Sequence, residues 1–294
     1  MKTLIYTTCF VIASALFTKP VRAQNFDTVQ VKTVKITDKI YMLQGEGGNV
    51  GVLTGNDGIV LIDDEFAPLS EKIKNALTAI SDKPVRFIIN THYHFDHTDG
   101  NKIFGEQGAI IVAQDNVRRR LTTDQFLTAF NMKQDALSYS ALPKITFTDS
   151  VTLHLNGETL KVIHLKNAHT DGDALIWFEE SNVMHTGDVF VRYGLPVIDS
   201  EHGGSIDGMI TGTENIMKIA DANTKIIPGH GDLASEKDVA DFKAMLQMIR
   251  NKIAGDIKKG KTFKQITEEN LFTQYNAVFD RSAFILMVYD SLKK

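Results

Sequence analysis

Apolar and polar positions alternate in short blocks along the first third of the chain. Val29, Val31, Val34 and Ile36, then Ile40 to Leu43, Val50 to Leu53 and Ile59 to Ile62 read as four successive strands. Gly45-Glu46-Gly47-Gly48 and Gly55-Asn56-Asp57-Gly58 mark turns, the second a hairpin signal. After Asp63-Asp64 the period changes. Leu69, Ile73, Ala76, Leu77 and Ile80 fall on one helical face behind Pro68, and Val85 to Ile89 reads as a buried strand.

A short helix is expected at Asn101 to Phe104, a strand at Ala109 to Ala113, and helical stretches between about 116 and 137. Strands return at Ile145 to Phe147, Val151 to Leu155, Leu160 to Leu165, Ala174 to Phe178 and Val183 to His185. A helix from Ser205 to Ala220, a strand Lys225 to Ile227 and an amphipathic helix from Ser235 to Ile253 follow. The order is two passes of strands with helix-strand units and no low-complexity linker. An α/β fold accommodates it: two mixed sheets face to face with helices outside, a four-layer αββα sandwich in one domain over 24–294. The apolar run Phe279 to Leu292 either packs back on the domain or meets a partner.

Residues 1–23 stand apart. Lys2, the apolar run Leu4 to Phe17 and then Val21-Arg22-Ala23 read as a secretory signal peptide cleaved after Ala23, with the run too short for the roughly 20 residues a membrane span needs. This predicts a periplasmic or secreted protein without a stable membrane anchor. Losing Lys2, Lys19 and Arg22 takes the formal charge from −4 to −7, which argues against a nucleic-acid partner. The triplet Arg118-Arg119-Arg120 reads as a solvated helix face. Cys9, inside the leader, is the only cysteine. The mature chain therefore has no disulfide, cysteine nucleophile or thiolate ligand, and any metal must be held by His, Asp or Glu.

Of nine histidines, three lie in Thr91-His92-Tyr93-His94-Phe95-Asp96-His97, directly after an apolar strand. Residues i and i+2 of an extended segment share a side, so His92 and His94 can grip one cation while Asp96 and His97 turn toward another. A closed structural site needs four ligands; the surplus argues for two ions with open positions.

With these residues the sequence resembles the metallo-β-lactamase-fold hydrolases, whose signature is a His-x-His-x-Asp-His run. Asp63 is similar to the first-motif acid, Thr91 to His97 to the second motif, His169 in Ala168-His169-Thr170-Asp171-Gly172-Asp173 to the third, Asp188 in Thr186-Gly187-Asp188 to the fourth, and His230 in Ile227-Pro228-Gly229-His230-Gly231 to the fifth. The resemblance implies two zinc ions, with iron or manganese as acceptable substitutes. His92, His94 and His169 would lie on the first, Asp96, His97 and His230 on the second, and Asp188 between them.

It further implies hydroxide generated from water on the metal, with Asp96 orienting it, as the agent that cleaves a small-molecule substrate: an ester, lactone, thioester or amide. Zinc β-lactamases of this family generally lack the bridging aspartate, so β-lactam hydrolysis is the alternative, and a non-catalytic zinc-binding module the second alternative. Among the other histidines, His154 and His164 read as structural, His185 as a support for the ligands and His202 as a candidate substrate contact. Phe190, Tyr193, Pro196 and Ser205, and Phe126, Phe130 and Tyr139, are candidate pocket walls, with Tyr193 a candidate oxyanion donor.

Overall fold

The computed structural model describes residues 25–128 and 131–293; the leader at 1–23 and Phe130 lie outside them. Strands β1 (Lys32–Lys35), β2 (Ile40–Gln44), β3 (Val50–Leu53) and β4 (Ile59–Ile62) form an antiparallel meander. Helix α1 (Ser70–Thr78) crosses over to β5 (Val85–Ile89), which pairs parallel with β4. The short α2 (Phe95–Thr98) and α3 (Asn101–Glu106) lead to β6 (Ile110–Gln114) and α4 (Asp115–Leu121).

A hairpin of β7 (Gln125–Leu127) and β8 (Met132–Gln134) precedes β9 (Ile145–Phe147), which completes a seven-stranded sheet in the order β1-β2-β3-β4-β5-β6-β9. β10 (Ser150–Leu155), β11 (Glu158–His164), β12 (Ala174–Phe178) and β13 (Val183–His185) run antiparallel. Helix α5 (Ile206–Ile219) then carries the chain to β14 (Lys225–Ile227), parallel to β13. Helices α6 (Glu236–Lys258), α7 (Phe263–Thr267) and α8 (Arg281–Ser291) finish the described chain.

Three cores show the layering. Ile40, Met42, Val60, Ile62 and Ile89 of the first sheet meet Leu160, Val162, Ile176 and Phe178 of the second in one cluster, so the sheets lie face to face. Val52, Leu61 and Ile88 point to the other side, where Ile73, Leu77 and Phe104 from α1 and α3 cover them. Leu175, Met184 and Ile226 pack under α5, α6 and α8 through Met209, Leu246 and Phe284. The order is αββα, as the strand and helix patterns imply. β4 is apolar throughout because both its faces are covered.

The helical expectation over 116–137 is corrected beyond Leu121, where Thr122 closes α4 and a hairpin follows. Its residues obey period two: Leu127 is buried and Phe126 half exposed. Long-range bonds fix it, with Gln134 Nε2 donating to the Tyr93 carbonyl at 2.8 Å and the Ala136 N–H donating to Asp124. The C-terminal run packs back on the domain, burying Phe284, Ile285, Met287 and Val288. Among the described residues no helix is long and apolar enough to cross a membrane.

Candidate metal centre

The predicted site residues leave the same edge of the sandwich. His92 to His97 follow β5, His169 lies between β11 and β12, and Asp188 and His230 follow the parallel pair β13 and β14. Parallel strands deliver their C-terminal ends to one side, which is why ligands so far apart in sequence can meet. Backbone bonds join the two sheets here: the Ala174 N–H donates to the Thr91 carbonyl at 2.8 Å and the Asn49 N–H to that of Gly229 at 2.7 Å.

All seven side chains converge. His92, His94 and His169 form one group able to hold a cation; His92, His97 and Asp188 form a second, and Asp96, His97 and His230 a third, with donor atoms in each within 4.8 Å of one another. Asp188 spans the groups, 3.2 Å from His97 Nε2, 3.4 Å from His230 Nε2 and 3.8 Å from His169 Nε2. The fit is tight enough to require glycine at two places. A Cβ on Gly229 would lie 2.0 Å from Asp188 Oδ1, and one on Gly48 would lie 2.2 Å from the His97 ring.

Hydrogen bonds on the outer sides of His92, His94, His97 and His169 determine which nitrogen of each faces inward. Asp63, held at φ 62°, accepts from the Thr91 N–H and Oγ1–H, both at 2.7 Å, and from His97 Nδ1 at 2.8 Å. With its proton given to Asp63, Thr91 Oγ1 accepts from His92 Nδ1 at 3.0 Å. Asp199 accepts from His94 Nε2 at 3.0 Å, and the Val197 carbonyl from His169 Nδ1 at 2.8 Å. Every inner nitrogen of these rings therefore presents a lone pair when the ring is neutral. His94 Nδ1 and His169 Nε2 confront each other at 2.8 Å, and His92 Nε2 is buried with no hydrogen-bond partner.

Charge divides the site. Burial pushes His92 well below the ordinary imidazole value and His169 down to about 4, so both are neutral at neutral pH. Burial acts the same way on His97 and His230, but the Asp188 and Asp96 carboxylates outweigh it, holding His97 well up and His230 at about 10. Asp96, despite its burial, is held down to about 2 by His97 and His230. Cations entering the second half would displace those protons. Asp188 Oδ1 lies within ion-pair distance of His97 yet makes no hydrogen bond, so that oxygen too is available.

The other candidates separate. His185 supports the site, its Nε2 donating to the Asn49 carbonyl at 3.0 Å. His164 bonds the carbonyls of Thr148 and Asp171, and His154 contacts Thr159, away from the centre. His202, the candidate substrate contact, donates Nδ1 to Asp199 at 2.7 Å. Phe190 is core, edge-to-face with Phe242, and Phe126 and Tyr139 are exposed side chains outside the cavity. Tyr193 packs on His230 with ring centroids 5.5 Å apart; its phenol, pushed up by burial, bonds the Val197 backbone.

A cavity of about 100 Å³ opens beside His94, walled by Leu127, Val197, Ile198, Ala283, Leu286 and Met287. The supports Asp199 and Asn49 are absent from the sequence analysis, as is Glu65, whose Oε1 accepts from the Gly47 N–H at 3.1 Å. Asp199 closes the apolar run Leu195 to Ile198 much as Asp63 closes Ile59 to Ile62, and that parallel was the available signal.

Residues 43–234 match the family model of the metallo-beta-lactamase superfamily. The chain is 23% identical over 254 residues to a metallo-beta-lactamase type 2 of Bacteroides fragilis, covering 81% of this chain and 95% of that one. It is 23% identical over 211 residues to a hydroxyacylglutathione hydrolase of Pelagibacter ubique, covering 68% and 78%. The solved metallo-beta-lactamase from Pontibacter korlensis superposes with a TM-score of 0.61 at 17% identity, over 74% of this chain and 99% of that one. By the family match over 43–234, with which its fold and its His/Asp cluster agree, the chain belongs to the metallo-beta-lactamase superfamily of metal-dependent hydrolases.

Proposed function

We propose that this protein is an exported hydrolase that holds two zinc ions and cleaves a small ester, lactone, thioester or amide. The observation that carries the reading is the pair of inward lone pairs on His94 and His169, 2.8 Å apart, beside the unpartnered Nε2 of His92. Such an arrangement is repulsive until a proton or a cation lies among the nitrogens, and burial disfavours the proton on His92 and His169. Nitrogen and carboxylate donors without thiolate suit zinc and also accept iron or manganese. His92, His94 and His169 would hold one ion, Asp96, His97 and His230 the other, with Asp188 between them.

Ions so held supply Lewis acidity, polarising a carbonyl and acidifying water. The chain's own groups do the rest. Asp96, one-fifth exposed and ionised at neutral pH, would hold the second ion through Oδ2, the oxygen that faces His97 and His230, leaving its other carboxylate oxygen to orient a water and accept its proton. Asp199, Asp63 and the Val197 carbonyl lock the ring orientations before substrate arrives. The cavity beside His94 receives the part of the substrate that does not react.

β-Lactam hydrolysis is the second reading, favoured by the 95% coverage of the Bacteroides fragilis relative; the carboxylate of Asp188 in the bridging position favours the first. Metal content measured together with a panel of chromogenic ester, lactone, thioester and cephalosporin substrates tests both. Two ions and hydrolysis of the acyl substrates, silenced by exhaustive chelation and by Asp96→Ala, are expected. Two ions with no hydrolysis of any substrate would indicate a zinc-binding module, and a rate unchanged by chelation would refute the proposal. N-terminal sequencing of the exported protein tests cleavage after Ala23.

A further inference from the structure

Apart from the metal centre behind His94, the charged side chains that line the cavity beside it are of one sign only. Leu127, Leu286 and Met287 give it apolar walls, and Asp199, Glu201 and Asp290 are its acids, with no lysine or arginine among the described residues that line it. Asp199 is consumed by Tyr93, His94 and His202. Glu201 and Asp290 are exposed at the rim, and neither forms an ion pair among the described residues. Glu201 accepts one bond, from Thr128 Oγ1 to Oε2 at 2.6 Å. The nearby Arg120 is committed to Asp171 at 2.6 Å.

Unneutralised carboxylates around an apolar cleft concentrate cations and repel anions. We propose that this cavity is a subsite for a cationic group on an apolar body, an alkylammonium portion of the substrate, and that it turns away carboxylate, sulfate and phosphate. The inference rests on the hydrolase reading above, whose reacting carbonyl would lie toward His94 while the ammonium lies between Glu201 and Asp290.

The test uses the metal-loaded protein and three nitrophenyl esters of equal chain length, ending in methyl, trimethylammonium or carboxylate. The ammonium ester is expected to exceed the carboxylate ester in kcat/KM by about 25-fold, about fivefold for each partly exposed carboxylate, with the gap in KM and narrowing as salt is raised. Glu201→Gln with Asp290→Asn is expected to bring that ratio close to one; the glutamine still accepts from Thr128. Leu286→Lys is expected to reverse it.

Equal turnover of the ammonium and carboxylate esters, or a ratio unmoved in the double variant, overturns the subsite. Should no ester be turned over, the hydrolase reading fails separately. Calorimetric titration with hexyltrimethylammonium and hexanoate then decides the subsite: ammonium binding that weakens in the double variant supports it, and absence of such binding overturns it.

Discussion

Glu65 is a carboxyl group placed where its charge is costly, and replacing it with glutamine isolates that cost. The side chain is 1% exposed, with Oε1 accepting from the Gly47 N–H at 3.1 Å and Oε2 buried without a partner. Burial raises it from 4.5 to about 7, against the lowering effect of the Gly47 and Glu46 amides. Because the folded value lies above the unfolded one, the unfolded chain loses this proton first as pH rises. Stability is therefore fully present below 4.5 and declines through about 7.

The interval from 4.5 to about 7, at about 1.4 kcal/mol per pH unit, amounts to about 3 kcal/mol. Glu65→Gln keeps an acceptor for Gly47 and cannot ionise, so its stability relative to wild type is expected to rise by about 3 kcal/mol across that window and level off near about pH 8. Urea denaturation of both proteins in the same chelator, at several pH values, measures the difference while other titrating groups cancel. A difference between the two proteins that is constant with pH would refute the reasoning.

Asp63→Asn removes the acceptor shared by Thr91 and His97 and is expected to weaken metal binding about 10- to 100-fold; competition with a chromophoric chelator measures it, and unchanged affinity would show that the outer bonds do not position the rings. Gly229→Ala forces a methyl against Asp188 and the backbone of Gly187. It is expected to lower stability by about 1–3 kcal/mol, read from the denaturant midpoint, and to reduce bound metal. Phe284→Ala empties a fully buried position on the inner face of α8 and is expected to cost about 3–5 kcal/mol in the same assay, with a loosened wall for the cavity.

The sandwich was legible wherever apolar runs were bounded by turns. β2 to β5 and β10 to β14 fall where their patterns place them, because each strand either alternates or is buried on both faces. The segment after Leu121 was not: its apolar residues fit a helical spacing, and the hairpin is held by Tyr93 and Asp124, whose proximity no local pattern encodes. Histidines at tight spacing, and the carboxylate and imidazole at His169, Asp188 and His230, marked the centre itself. The cavity was hidden for the opposite reason. Its walls come from β7, the stretch before Asp199 and α8, segments whose apolar residues look like ordinary core until the fold brings them to one opening.

The centre draws on both sheets, and this has a consequence for timing. A nascent polypeptide that ends before β10 presents only the imidazoles and the acid of a single loop, without the partners that arrive more than 70 residues later with His169. Firm capture of a scarce cation thus waits for closure of the whole sandwich, so occupancy reports that maturation is complete, and a chain arrested halfway has little with which to compete for metal.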